Sequence, residues 1–277
     1  MLSKQVTKEE LLIVTASRLI ENGDVVVLGV GMPILAGALA KQTHAPDSVL
    51  ILESGIVDFE PVVPPMNVAD ATCTRGYGYA TDMFSVFTSI TYSGYVDKCF
   101  LGVGQIDKYG NLNTTYLGTP PTASRITGAG GAPEFYAYAK QTILTMKGNG
   151  FVEKLPYMSS PGYLGGGDER EKSGRYTPGS GPKVLITPQG IFKFDQSTKE
   201  IYLDALFPGI TAESVIANVP WDLKIADSLS ALPVPTDEEI LFIRKFSPKH
   251  SFSNTVGAKL ERAYSNFIGK KTARAAK

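Results

Sequence analysis

The chain has 277 residues, 43% of them hydrophobic and 19% charged, with Lys+Arg and Asp+Glu each numbering 27. That length suits one large α/β domain with a full core and a short extension, and the balanced charge excludes the broad positive field of a nucleic-acid-binding protein. No apolar stretch reaches membrane-spanning length and residues 1–5 lack a signal-peptide h-region. The two cysteines, Cys73 and Cys99, have no metal-type spacing, and the two histidines, His44 and His250, are far apart. This composition predicts a cytoplasmic protein with free thiols, no membrane, no zinc site and no Ser-His-Asp machinery, with His44 a solvated loop residue.

Along the chain, Thr7-Lys8-Glu9-Glu10 is a capping box opening a helix that Asn22-Gly23 ends. A short β-branched strand follows at residues 24–28, then the turn Gly29-Val30-Gly31-Met32-Pro33 leads into a helix at 34–41. Residues 47–53 form the next strand, and this β-turn-α-β order predicts a parallel sheet with right-handed crossovers. Further strands are expected at 98–104 and 142–146, with a Gly/Asn turn at 108–111 and a helix near 135–140. The Gly-rich stretch from Pro161 to Gly167 and the charged residues through Arg175 read as a mobile loop. Residues 183–187, 191–195 and 201–203 then alternate as an antiparallel meander, followed by a helix at 211–218 and a capped last helix from Thr236 to about Phe246. The basic end, 266–277, is expected to be a disordered tail outside a single domain spanning 1–265.

Chemistry concentrates around Glu53-Ser54-Gly55, which closes the apolar run Ser48-Val49-Leu50-Ile51-Leu52. A carboxylate there sits where open α/β sheets place ligands, beyond the carboxyl end of a strand, and desolvation there would make it a better base or nucleophile. An ordinary strand-end Glu capping the next turn is the other reading. Three glycine clusters accompany it. Gly29-Val30-Gly31 precedes a helix whose amides could receive an anion, but it lacks the third glycine of a dinucleotide fingerprint, and a tight βα turn is equally compatible. Gly102-Val103-Gly104-Gln105 would let a ligand approach the backbone with Gln105 as a polar reader, or would serve close packing. Gly128-Ala129-Gly130-Gly131-Ala132 is either a flexible loop or a nest of amides able to stabilise an oxyanion.

Taken in order, Gly29-Val30-Gly31-Met32-Pro33, Ile51-Leu52-Glu53-Ser54-Gly55, Gly102-Val103-Gly104-Gln105-Ile106-Asp107, Tyr109-Gly110-Asn111-Leu112-Asn113 and Gly128-Ala129-Gly130-Gly131-Ala132 resemble the class I CoA-transferases, specifically β subunits of the glutaconate type. The likeness continues through Ser160-Pro161-Gly162, 187–195 and Trp221-Asp222-Leu223, covering about 7–248. It implies an open three-layer αβα sandwich with a mostly parallel sheet, the fold shared with sugar-isomerase-like proteins, plus a small antiparallel meander towards the C-terminus. It also implies a separate α-subunit partner, in an α2β2 or larger assembly, and coenzyme A as substrate and covalent intermediate rather than a permanently bound cofactor. By the same match Glu53 is the nucleophile, attacking an acyl-CoA in a ping-pong reaction. Gly130 and Gly131 would form the oxyanion site, and the CoA would lie over Gly102, Gly104 and Gln105, with Gly29 and Gly31 nearby. Decarboxylase relatives replace this Glu and steroid-ring hydrolase relatives lack it, so its retention favours transfer over those reactions; an acyl-CoA or ring-opening hydrolase using Glu53 as general base and a non-enzymatic ligand-sensing or scaffolding subunit are the alternatives. The segment 59–95 departs from the glutaconate type; it offers Tyr77 and Arg75, beside Ser54, as acyl-pocket candidates, and a surface salt bridge is the plainer role for Arg75.

Overall fold

The computed structural model describes residues 6–29, 31–118 and 124–247, so His250 and the basic tail lie outside the described residues. The N-terminal third is built from α1 (Lys8–Ser17), β1 (Val25–Leu28), α2 (Met32–Gln42), β2 (Val49–Ile51), β3 (Ile56–Val57) and β4 (Tyr79–Ala80). Next, the single turn α3 (Met83–Ser85) runs directly into a π-helical segment, Val86–Tyr92. Then come β5 (Lys98–Gly102), the hairpins β6 (Gln105–Ile106) with β7 (Leu112–Asn113) and β8 (Tyr116–Leu117) with β9 (Ser124–Arg125), then α4 (Ala132–Tyr138) and β10 (Gln141–Thr145). The remainder comprises α5 (Glu169–Lys172), β11 (Pro182–Ile186), β12 (Gly190–Phe194), β13 (Ile201–Leu206), α6 (Ala212–Ile216), β14 (Lys224–Ala231) and α7 (Asp237–Phe246).

Ten strands form one sheet in the order β14-β13-β12-β11-β10-β5-β1-β2-β3-β4. Its centre, β11-β10-β5-β1-β2, is parallel throughout. Antiparallel strands flank it on both sides: the expected meander β11-β12-β13 on one, and β2-β3-β4 on the other. The second of these was not legible, because β3 and β4 are two-residue strands whose pairing is fixed by tertiary contacts rather than by an alternating pattern. At the far side β14 returns parallel to β13 through α6.

The alternation of each central strand divides two apolar layers. Val26, Leu28, Leu50, Leu52 and Phe100 join Leu12, Ile13, Ile34, Leu39, Ile240 and Ile243 in the core beneath α1, α2 and α7. Val27, Ile51, Cys99 and Leu101 face the other way, onto Phe135, Tyr136 and Leu144 beneath α4. Successive strand residues point to opposite faces, so two buried layers require these near-continuous apolar strands.

Both capping boxes form as the sequence predicts: Thr7 Oγ1 accepts from the Glu10 amide while Glu10 Oε2 accepts from the Thr7 amide, and Thr236 and Glu239 repeat the arrangement. The two acidic residues also tie the terminal helices together. Glu10, fully buried, pairs with Arg244 at 2.6 Å, and Glu239 pairs with Arg18 at 2.7 Å. Helix α1 ends at Ser17, earlier than Asn22-Gly23 suggests; exposed His44 places Nε2 3.1 Å from the Ser17 and Ile20 carbonyl oxygens at that end.

The Gly-rich stretch after Pro161 corrects the expectation of a mobile loop. It wraps around Arg170, only 1% exposed, whose guanidinium donates to the Pro161, Gly162 and Tyr136 carbonyls and to Ser180 Oγ. The cation lies 3.9 Å from the Tyr176 ring centroid, and Tyr163 anchors the same loop by donating to the Pro182 carbonyl. A charged residue in the polar stretch after a run of glycines looks solvated in sequence; here it supplies the donors that otherwise unpaired loop carbonyls need.

Candidate active site

The parallel strands β1, β2, β5 and β10 all end at one edge of the sheet, and the predicted glycines and Glu53 gather there. Beyond β2 the chain reverses in a tight turn: the Leu52 amide donates to the Ile56 carbonyl and the Gly55 amide to the Leu52 carbonyl, leaving Glu53 and Ser54 at the apex. Gly55 has φ +106°, and a Cβ on it would lie 2.1 Å from the Thr81 carbonyl oxygen. Only glycine allows both the left-handed conformation and that approach. The Thr81 amide in turn donates to the Gly55 carbonyl at 2.8 Å, pinning the apex against the end of β4.

Glu53 is half-buried and meets the start of α4. A Cβ placed on Gly131 would lie 2.8 Å from Glu53 Oε2 and 2.4 Å from Phe87 Cζ, so the carboxylate and the Phe87 ring edge close around the bare Gly131 Cα. Gly130 has φ +55° and Gly131 φ −79°. Successive backbone amides with φ of opposite sign form a concave donor cradle suited to an anion. Neither amide donates to another described group, whereas the next one, from Ala132, is already bound to the Ala129 carbonyl. The Gly130-Gly131 backbone thus has the geometry of a nest.

The other glycines separate into two kinds. Gly102, at the end of β5, is exposed with nothing within 4 Å of where its Cβ would be. Gly29 ends β1 with only the Phe100 carbonyl oxygen near, at 3.7 Å, and Gly31 caps α2 at φ +109° without a side-chain hydrogen bond. Gly29 and Gly102 leave the ends of β1 and β5 open. Gly104 serves packing instead: a Cβ there would sit 2.7 Å from the Asn113 carbonyl oxygen, so β6 and β7 could not approach. Gln105 lies in the same hairpin, its Oε1 accepting from Asn113 Nδ2 at 2.8 Å. Asp107 of the same block builds the adjoining turn, accepting from the Tyr109 and Asn111 amides and from Asn111 Nδ2. Burial pushes its carboxyl up, against those hydrogen bonds.

The acyl-pocket candidates scatter. Ser54 stays on the apex beside Glu53, but its hydroxyl donates to the Val68 carbonyl and is not free to donate to a substrate in this arrangement. Arg75 and Tyr77 are exposed, and Arg75 forms no ion pair among the described residues, contrary to the expected surface bridge; its carbonyl receives the Glu60 amide instead. Sequence reasoning missed Phe87 altogether. Cys99 and Cys73 make poor nucleophiles: burial pushes the Cys99 thiol up to about 12 and the Cys73 thiol up to about 11, and a thiol is reactive only as thiolate. Among the described residues no group of three His, Cys, Asp or Glu side chains could hold a metal ion, and no helix is long and apolar enough to cross a membrane.

The site thus places a strand-end carboxylate beside Gly131, next to two uncommitted amides, on the carboxyl edge of a three-layer α/β sandwich. The profile of the coenzyme A transferase family matches residues 10–218, and this chain belongs to that family. It is 36% identical over 239 residues to the B subunit of 3-oxoadipate CoA-transferase from Pseudomonas knackmussii, covering 85% of this chain and 91% of that one. It is 35% identical over 249 residues to the B subunit of glutaconate CoA-transferase from Acidaminococcus fermentans, covering 86% and 91%. The crystal structure of glutaconate coenzyme A-transferase from A. fermentans superposes with a TM-score of 0.82 at 34% identity, over 90% of this chain and 97% of that one. The fold and the enzyme class expected from the sequence motifs are thereby established.

Proposed function

We propose that this chain is the β subunit of a heteromeric CoA-transferase that moves CoA between an acyl-CoA and a short dicarboxylic acid, with Glu53 as the covalent nucleophile. The relatives named for 3-oxoadipate and glutaconate, both dicarboxylates and both named as one subunit of a larger enzyme, support the substrate class and the need for a second chain. The observation that carries this reading is the close approach of Glu53 Oε2 to Gly131, whose amide and that of Gly130 are uncommitted.

In the first step a Glu53 carboxylate oxygen attacks the thioester carbonyl. The C–S bond breaks, CoA leaves as thiolate, and an acyl-glutamyl anhydride remains. The thiolate then attacks the glutamyl carbonyl, expelling the first acid as its carboxylate and leaving a glutamyl-CoA thioester. The acceptor carboxylate reverses the two steps. Each addition places negative charge on a carbonyl oxygen, and preorganised amides aimed at such an oxygen are worth roughly 10²–10³ in rate per donor. Gly130 and Gly131 would supply them, and the open Gly29 and Gly102 strand ends would give CoA a surface without side chains to displace. Retention of CoA on the enzyme while the acids exchange would direct its binding energy into the chemical steps.

The test is to co-purify the chain with its α subunit, incubate with acyl-CoA, and measure the intact mass with and without borohydride. We expect a CoA adduct mapping to Glu53, absent in Glu53→Gln, with transfer lost by at least ~10³-fold. Undiminished transfer by Glu53→Gln would overturn the mechanism.

A further inference from the structure

The π-helical segment Val86–Tyr92 is unexplained by the reaction outlined above, yet it lies against the site. In it Thr91 Oγ1 donates to the Val86 carbonyl five residues back, and further on the Tyr95 amide reaches the Ile90 carbonyl. Such widened turns are rare and concentrate at functional sites. Their spacing has a geometric result here. Phe87 and Tyr92, five apart, both meet α4: Phe87 packs on Phe135 with ring centroids 4.9 Å apart, and Tyr92 packs edge-on against Tyr138, also at 4.9 Å. Residues five apart on an α-helix of 3.6 residues per turn point well away from each other, whereas an i to i+5 turn aligns them.

The two ring pairs therefore fasten the segment along α4, the helix that the nest immediately precedes. Phe87 does more than fasten. Its ring edge and Glu53 Oε2 both lie within 2.8 Å of the point a Gly131 Cβ would occupy, so the ring flanks the carboxylate at Gly131.

We propose that Phe87 is a positioning residue that holds the Gly130-Gly131 nest against Glu53 and keeps water from the glutamyl intermediates. This rests on Glu53 as the covalent nucleophile. Both the anhydride and the glutamyl-CoA thioester are hydrolysable. Water adding to the glutamyl carbonyl of the thioester would break the C–S bond, protonate and release CoA, and return the Glu53 carboxylate without any acceptor acid being used. A transferase must make that path slow, and an apolar wall beside the carbonyl does so by excluding water. Tyr92, further along the segment, acts only through the clamp.

The experiment uses the co-purified heteromer. The glutamyl-CoA thioester is formed with acyl-CoA, freed of small molecules by gel filtration, and followed by intact mass in buffer and in acceptor acid. In Phe87→Ala, thioester decay without acceptor should rise on the order of tenfold while transfer falls by a similar factor, so the ratio of hydrolysis to transfer rises roughly a hundredfold. Phe87→Leu, which keeps apolar bulk, should restore most of the thioester lifetime, and Tyr92→Ala should slow transfer modestly without shortening that lifetime. If Phe87→Ala does not fold, Phe87→Val carries the same expectation. A lifetime and transfer rate within twofold of the parent in the folded variant would overturn the clamp while leaving Glu53 as nucleophile. A parent enzyme that forms no thioester would overturn both.

Discussion

The two ends of the same parallel strands are built from different chemistry. Where the strands begin, charges are paired: Asp24 precedes β1 and binds Lys98, which opens β5, at 2.7 Å; Asp97 accepts from the Val25 amide and from Lys140, which precedes β10. Where they end, side chains are removed or left open: Gly29 after β1, Gly102 at the end of β5, and Glu53-Ser54-Gly55 after β2. The first edge satisfies its charges internally, so its residues contribute to stability and have nothing left to offer a ligand. The second leaves amides, a carboxylate and open backbone uncommitted, which contributes little to the fold and is what a reaction needs. Substitutions at the two edges should therefore separate activity from stability.

The sharpest test is Gly131→Ala. Its φ of −79° suits alanine, so the fold should lose only a few degrees of thermal midpoint, but the added methyl must displace Glu53 or Phe87. Transfer should fall on the order of 10²–10³-fold, the size of one misplaced oxyanion donor, measured as kcat with the folded heteromer. A near-normal rate would show that the nest and the carboxylate do not act together.

The complementary change is Lys98→Met at the other edge. Lys98 is 4% exposed, and removing it strands the Asp24 carboxylate beside the sheet. Breaking a buried pair from one side costs about 3 kcal/mol, a fall of roughly 8 °C in Tm for a domain of this size. The KM for acyl-CoA should stay within twofold of the parent, and a large change in KM would contradict the division of labour between the edges.

The smallest effect concerns pH. Burial pushes the Asp97 carboxyl up, but the Lys140 and Val25 hydrogen bonds and the neighbouring lysine charges outweigh it and hold it below its ordinary 3.8. In Glu10, burial likewise acts upward and is outweighed by Arg244 and Thr7, which hold it below 4.5. A carboxyl depressed in the folded state contributes stability that is complete above its unfolded value and is lost as pH falls through its folded one. Tm should thus drop below about pH 4.5, and Asp97→Asn should flatten that drop by a small but measurable amount in a thermal-melt series from pH 7 to pH 3. An unchanged acid slope would remove Asp97 from the account.

Much of this was legible because the signals are local. Thr7 and Thr236 each meet a glutamate three residues on, and the alternation of 183–187 with 191–195 fixes a hairpin wherever it is placed. The position of Glu53 at a strand end is local too. Its partner is not: nothing in Gly130-Gly131 says which carboxylate it faces, and only the likeness of motif order linked them. Three features escaped for the same reason. Arg170 looks solvated until its carbonyl acceptors converge on it. The bond from Asn113 to Gln105 is visible only once β7 pairs with β6. Phe87 and Tyr92 stand five apart, a spacing that fits neither the strand nor the α-helix period, so their shared face becomes visible only once α4 is in place.

The outermost strand, β14, runs eight residues along the sheet margin with most of its side chains in solvent. A long open margin of that kind normally invites another chain to add itself, the route to aggregation during synthesis or assembly. Here Lys224, tied to Glu200, stands at one end, Asp227, Ser228 and Ser230 interrupt the apolar positions, and Pro233 and Pro235 follow at once. The register shift opposite, between Leu203 and Ala205, bends the pairing as well. Charge, proline and a shifted register thus stand together along this margin of the described sheet, the devices by which one sheet edge is kept from adding another.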